Sequence, residues 1–147
     1  MLARAIGLLL MGVALHASAQ TIENASRSTI GYLNADGSIE NSSRSTAGYI
    51  TPNGSGWTIE NSSRGTIGYV EANGAGAYTI ENSSRSTVGY MAMDGSGNWT
   101  VENSSRSTIG YIHTDGTVED ASRSTIGYAP NVPPAWAGVY FFFFRFP

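Results

Sequence analysis

The sequence predicts an all-β protein built from radially arranged short antiparallel β-hairpins that close into a shallow, barrel-like ring. Three observations carry that prediction. The segment beginning Ile22-Glu23-Asn24-Ala25-Ser26-Arg27-Ser28-Thr29-Ile30-Gly31-Tyr32 recurs six times, with copies starting at Ile22, Ile39, Ile59, Ile80, Val101 and Val118. Asp-Gly or Asn-Gly dipeptides stand between the apolar runs, and such dipeptides are strong hairpin signals. The sequence from residue 20 onward carries no helical period over ten residues, and repeats spaced by 17 to 21 residues indicate an array of one supersecondary unit.

Within a unit, Thr29-Ile30-Gly31-Tyr32-Leu33 is rich in β-branched and aromatic residues and reads as a strand. Asn34-Ala35-Asp36-Gly37 reads as a turn, and Ser38-Ile39-Glu40-Asn41 as the returning strand. The turn recurs at Thr51-Pro52-Asn53-Gly54, Glu71-Ala72-Asn73-Gly74, Ala92-Met93-Asp94-Gly95 and His113-Thr114-Asp115-Gly116. These are expected to be three- to four-residue loops closing through a glycine bulge. Five such turns leave two half-units, around residues 21–24 and 125–128. Pairing these halves closes the ring and removes its edge strands, so the chain reads as five petals with a closing strand pair or as six, the sixth formed by this closure. An open β-solenoid is the alternative architecture.

The first twenty residues read differently. Arg4 precedes an apolar run from Ala5 to Leu15, followed by the small-residue pattern Ala17-Ser18-Ala19. That is the form of a secretory signal peptide, residues 1–19, and the run is too short for a membrane-spanning helix. The domain is then 20–147, with repeats over 21–128, a Pro-rich break over 129–134 and an aromatic tail over 135–147. Location outside the cytoplasm, periplasmic or secreted, is expected after cleavage near Ala19.

Composition narrows function mainly by exclusion. The chain has 8 basic and 11 acidic residues and a net charge of −3, which disfavours nucleic acid as a partner. With 0 cysteines, it has no disulfides, thiolate metal sites or cysteine nucleophiles. His16 and His113 are its only histidines, too few for a multi-histidine metal site. No cofactor or metal is expected.

The repeated residues divide by side-chain alternation. Ile30 and Tyr32 are expected on one strand face, making Tyr32, Tyr49, Tyr69, Tyr90, Tyr111 and Tyr128 a ring of core residues. The sharper alternative is an aromatic-lined channel. Gly31 and its counterparts suit close approach of a ring or backbone. One Glu and one Arg per unit suggest a belt of ion pairs that sets register more than stability. Six near-identical glutamates do not supply the unequal carboxylates that acid–base catalysis needs, so no enzyme is expected. The Asn-Xaa-Ser pattern at Asn41, Asn61, Asn82 and Asn103 matches a glycosylation acceptor, but it is written into the repeat.

Departures from the repeat are more informative. Three longer hairpins place Trp57, Tyr78 and Trp99 at one equivalent position, two residues before the repeat's Ile or Val. They are either extra packing or a patch for a glycan, a lipid head group or a protein. After the prolines, the tail carries Trp136, Tyr140, Phe141, Phe142, Phe143, Phe144 and Phe146, too apolar to be left in water. It is expected to dock on the ring as a plug or extra strand, the alternative being contact with a membrane or partner.

These tandem units, the glycine turns, the leader and the Pro-Pro-Ala-Trp-Ala ending with its four consecutive phenylalanines resemble the bacterial 5-fold β-flower proteins over residues 21–147. The resemblance implies hairpin petals around a shallow centre with an apolar interior, no enzymatic activity and no agreed role. The family's similarity to the Tubby C-terminal barrel makes lipid contact one expectation. Together the readings give a monomeric, non-enzymatic structural or interaction module, with a glycan-binding module or a lipid- or membrane-associated protein as the alternatives.

Overall fold

The structure is a computed structural model and describes residues 19–74 and 76–147. The signal-peptide reading falls on residues 1–18, which lie outside the described residues, and on Ala19. The strands are β1 (Gln20–Asn24), β2 (Thr29–Leu33), β3 (Ser38–Asn41), β4 (Thr46–Asn53), β5 (Gly56–Asn61) and β6 (Thr66–Ala72). They continue with β7 (Ala77–Asn82), β8 (Thr87–Met93), β9 (Trp99–Asn103), β10 (Thr108–Ile112), β11 (Thr117–Asp120) and β12 (Thr125–Tyr128). Every strand pairs antiparallel with its chain neighbours, and β1 pairs with β12, so the sheet is a closed barrel. The two half-units therefore meet. Glu23 faces Tyr128 and Asn24 faces Gly127, the register that Glu40 and Asn41 keep with Tyr32 and Gly31 inside the chain.

Two kinds of turn alternate along the chain and lie at opposite ends of the barrel. At one end, the turn from β2 to β3 runs through Asn34-Ala35-Asp36-Gly37. Gly37 N–H donates to Asn34 O at 3.0 Å and Gly37 has φ +85°. A β-carbon there would overlap the carbonyl of Ile50, so glycine is required by conformation and by space. In the turn from β8 to β9 the left-handed residue is Gly97, with φ +83°, rather than the Gly95 of the Asp-Gly pair.

At the other end stand the six Ser-Arg turns. The Asn or Asp that ends each odd-numbered strand accepts two backbone N–H bonds on Oδ1, at 2.8–3.1 Å, from the residues two and four positions on. This short polar side chain reproduces a backbone turn. Arg27, Arg44, Arg64, Arg85, Arg106 and Arg123 follow at φ 63–67°, in the left-handed region. That region costs a non-glycine residue about 1–2 kcal/mol.

Inside the barrel, two rings of side chains are nearly inaccessible. One is Ile22, Ile39, Ile59, Ile80, Val101 and Val118, each at most 1% exposed. The other is Leu33, Ile50, Val70, Met91, Ile112 and Ala129, each at most 2% exposed. The second ring follows the repeat tyrosines by one residue, so the tyrosines point outward. The expectation that Tyr32, Tyr49, Tyr69, Tyr90, Tyr111 and Tyr128 form the core is therefore corrected. The cause is a β-bulge in every unit: Ile22 pairs with Gly31 but Glu23 with Thr29, which leaves Ile30 as the extra residue. The same skip occurs at Ala47, Ile67, Val88, Ile109 and Ile126. A bulge breaks the two-residue period. Ile30 packs against the core while Tyr32, two residues on, stands on the outer face.

The bore is filled by the chain's own tail. After β12, residues 129–133 occupy the place of the missing sixth glycine turn, where Gln20 Nε2 donates to Asn131 O at 2.5 Å. Helix α1 (Pro134–Gly138) enters the barrel, with Ala135 and Ala137 buried, and Gly138 lies against Met91 and Ile112. A single π-turn, Val139–Phe143, follows and closes through Phe144 N–H to Val139 O at 3.1 Å.

Candidate functional site

Three arrangements emerge from the sequence-predicted residues. The first is on the outer wall. Each tyrosine of one unit lies beside the glutamate of the next strand and beneath the arginine of the following turn. The guanidinium carbon sits 3.3–3.5 Å from the ring centroid in all six cases, from Arg44 over Tyr32 to Arg27 over Tyr128 across the closing seam. The same arginine donates to the glutamate of its own unit at 3.0–3.4 Å. The Glu-Arg belt is thus present, and each arginine links two units. Its left-handed backbone is what turns the side chain back over the preceding unit's ring. A cation–π contact at an exposed site contributes about 0.5–1 kcal/mol, comparable with the strain of the turn.

Two units depart from this pattern: in one, Arg85 also donates to Glu71 Oε1 at 2.6 Å, and in the other a histidine joins the pair. His113 Nε2 lies 2.9 Å from Glu119 Oε2, the oxygen that also receives Arg123. His113 and Glu119 line a small concavity of about 330 Å³ with Asn98, Thr114, Asp115 and Thr117. His113 and then Arg123 hold the Glu119 carboxyl below its ordinary value. His113 has no counterpart in the repeat, and sequence spacing alone did not join it to Glu119.

The second arrangement lies at the glycine-turn end. Trp57, Tyr78 and Trp99 are brought together: Trp57 and Tyr78 have ring centroids 5.7 Å apart, and Tyr78 and Trp99 stack at 5.4 Å. Alternation places Trp57 on the same face as buried Ile59, so these rings point to the core. Trp136 from α1 meets Trp57 edge-on at 6.2 Å. The longer hairpins have therefore extended the core around the entering tail, and Trp99 is buried while Trp57 and Tyr78 are half-buried.

The third is the tail itself. Each of six tail aromatics lies against one repeat glycine: Tyr140 on Gly31, Phe141 on Gly127, Phe142 on Gly110, Phe143 on Gly89, Phe144 on Gly68 and Phe146 on Gly48. The tail steps around the wall one unit per residue, against the order of the strands. It misses a step at Arg145, which is exposed, and closes where Phe146 stacks on Tyr140 at 5.8 Å. Tyr140 also donates its hydroxyl to Ile30 O at 3.3 Å, and burial pushes its pKa up. The glycines are recesses into which the ring tips fit. On the outer side, towards the Ser-Arg turns, residues 140–147 line an open concavity of about 710 Å³. The aromatic-lined channel anticipated as an alternative is thus occupied by the protein's own side chains. Among the described residues, no group of His, Asp and Glu has the placement to hold a metal ion.

A closed all-β ring of six near-identical hairpin units, cross-linked on the outside by Tyr-Arg-Glu contacts and plugged by its own tail, defines a β-repeat barrel of the flower type. The chain belongs to the 5-fold beta-flower protein family, whose model matches residues 19–145. No curated protein and no solved structure matches it. The description of the family counts five, and this chain has five glycine-turn hairpins within the chain plus a sixth pair assembled from β12 and β1.

Proposed function

We propose that this chain is an extracytoplasmic, non-enzymatic interaction module whose working surface is the aromatic mouth formed by residues 140–147. The observation that carries the reading is the concavity of about 710 Å³ at that mouth, within the size range of small-ligand sites. Its lining phenylalanines are half-buried, held by the glycine recesses on one side and accessible on the other. Rigidly held aromatic surface is suited to binding, because little conformational entropy is lost when it is covered. The repeat glutamates support the non-enzymatic reading, since each sits in a matched ion pair with its own arginine. The residue pattern of 1–19 supports export, periplasmic or secreted.

Native mass spectrometry of the mature protein from its own cells tests this. The expected result is a co-purifying apolar ligand or partner that is lost in Phe146→Ala and kept in Trp57→Ala. A bare chain in every preparation overturns the reading. Loss in Trp57→Ala alone transfers the site to the Trp57, Tyr78 and Trp99 stack, the surface a glycan would use, and tryptophan quenching by sugars then follows.

A further inference from the structure

The β1/β12 seam is the one place where neighbouring units of the ring are joined only by non-covalent contacts. Its contacts repeat those between units elsewhere. Arg27 stands 3.3 Å over Tyr128, as Arg44 stands 3.4 Å over Tyr32, and Glu23 faces Tyr128 as Glu40 faces Tyr32. The β12 edge of one molecule therefore carries the contacts required by the β1 edge of any other. The seam is also the shortest junction, with two residue pairs in register against three to six for the glycine-turn hairpins. The strand pairs of the wall join only neighbouring units, so the pairing by itself would admit another number of units. The tail does count them, with six rings seated on six glycines.

We propose that the tail is the ruler that holds the chain as a closed six-unit monomer, and that the β1/β12 seam is a binding surface for a second copy of this chain once the tail is displaced. The exchanged junction is chemically the same as the closed one. The choice between ring and swapped assembly then falls to the plug, the situation in which domain swapping is a low-cost route to oligomers.

The test uses the full mature chain, refolded and analysed by native mass spectrometry, with far-UV circular dichroism reporting strand content. Wild type is expected to be monomeric. Phe142→Ala, Phe143→Ala and Phe144→Ala combined should keep the strand signal and raise the multimer fraction at least about tenfold, since each 1.4 kcal/mol lost from the closed state is a factor of ten. Glu23→Cys with Tyr128→Cys puts a cysteine pair on the seam of a chain with 0 cysteines of its own, and on that background the multimers of the triple variant should be disulfide-bonded chain to chain, separating on a denaturing gel only after reduction. A triple variant that is folded and monomeric overturns the proposal. Multimers that carry no chain-to-chain disulfide, or a multimeric wild type, overturn it equally. Should the triple variant not fold, Phe143→Ala alone decides: a multimer fraction above wild type supports the ruler, and an unchanged one removes it.

Discussion

The two ends of the barrel solve the same turn with different residues. Both use a tight turn followed by a left-handed position, Gly37 at one end and Arg44 at the other, with φ +85° and 65°. At the glycine end the main chain of the adjacent strand comes close: Ile50 N–H donates to Gly37 O at 2.8 Å and a side chain has no room. At the arginine end the turn projects into solvent, so a β-carbon is admitted and only the strain remains. That strain is offset by a side chain that stacks on one unit and pairs with its own. Left-handed backbone thus carries no steric cost at the glycine end and a strain at the arginine end. Only where the residue can reach a partner does it become a joint between units.

The largest effect expected from probing this comparison is at the tail, which both ends enclose. Phe143→Ala should cost about 3 kcal/mol, the low end for removing a packed phenylalanine because the ring is half-buried, read from denaturant unfolding. Gly37→Ala should cost about 2–3 kcal/mol from left-handed strain plus overlap with Ile50. Arg64→Gly should change stability by less than about 1 kcal/mol, because relief of strain is set against loss of an exposed stack and ion pair. A loss above that at the arginine, or a tolerated alanine at Gly37, would break the contrast between the ends. The smallest effect is acid sensitivity. Asp36 is held below its ordinary value by its bonds to Ser38, and Asp115 by Thr117, as Glu119 is by His113. Their stabilisation is present above the ordinary values of 3.8 and 4.5 and is lost as pH falls through the lowered ones. The part of the stability that these carboxylates supply should therefore decline in acid, read from thermal scans. Ser38→Ala should soften the part that comes from Asp36.

Much of this architecture was legible in the residues. The strands, the Asp-Gly turns and the ring closure follow from the repeat, because each unit carries its own turn chemistry and its own apolar face. The outward tyrosines were not legible, since a bulge at Ile30 leaves no mark in the apolar pattern and reverses every side chain after it. The residue after each tyrosine held the missing signal: Leu33, Ile50, Val70, Met91, Ile112 and Ala129 are all apolar. The aromatic patch was placed correctly as a group of neighbours, but its direction, inward towards Trp136, depended on where the tail enters. The tail's seat was half-written. Six Gly-Tyr pairs and six aromatics after Val139 match in number, yet a π-turn has no periodic signature from which the match could be read.

The reverse order in which the tail visits the wall has a consequence for timing. Phe141 seats on the last repeat glycine and Phe146 on one of the first, Gly48. The tail leaves the ribosome after every unit it touches. The core is therefore completed by the segment made last. A message cut short after residue 128 would encode every strand of the wall and none of the segment that plugs it.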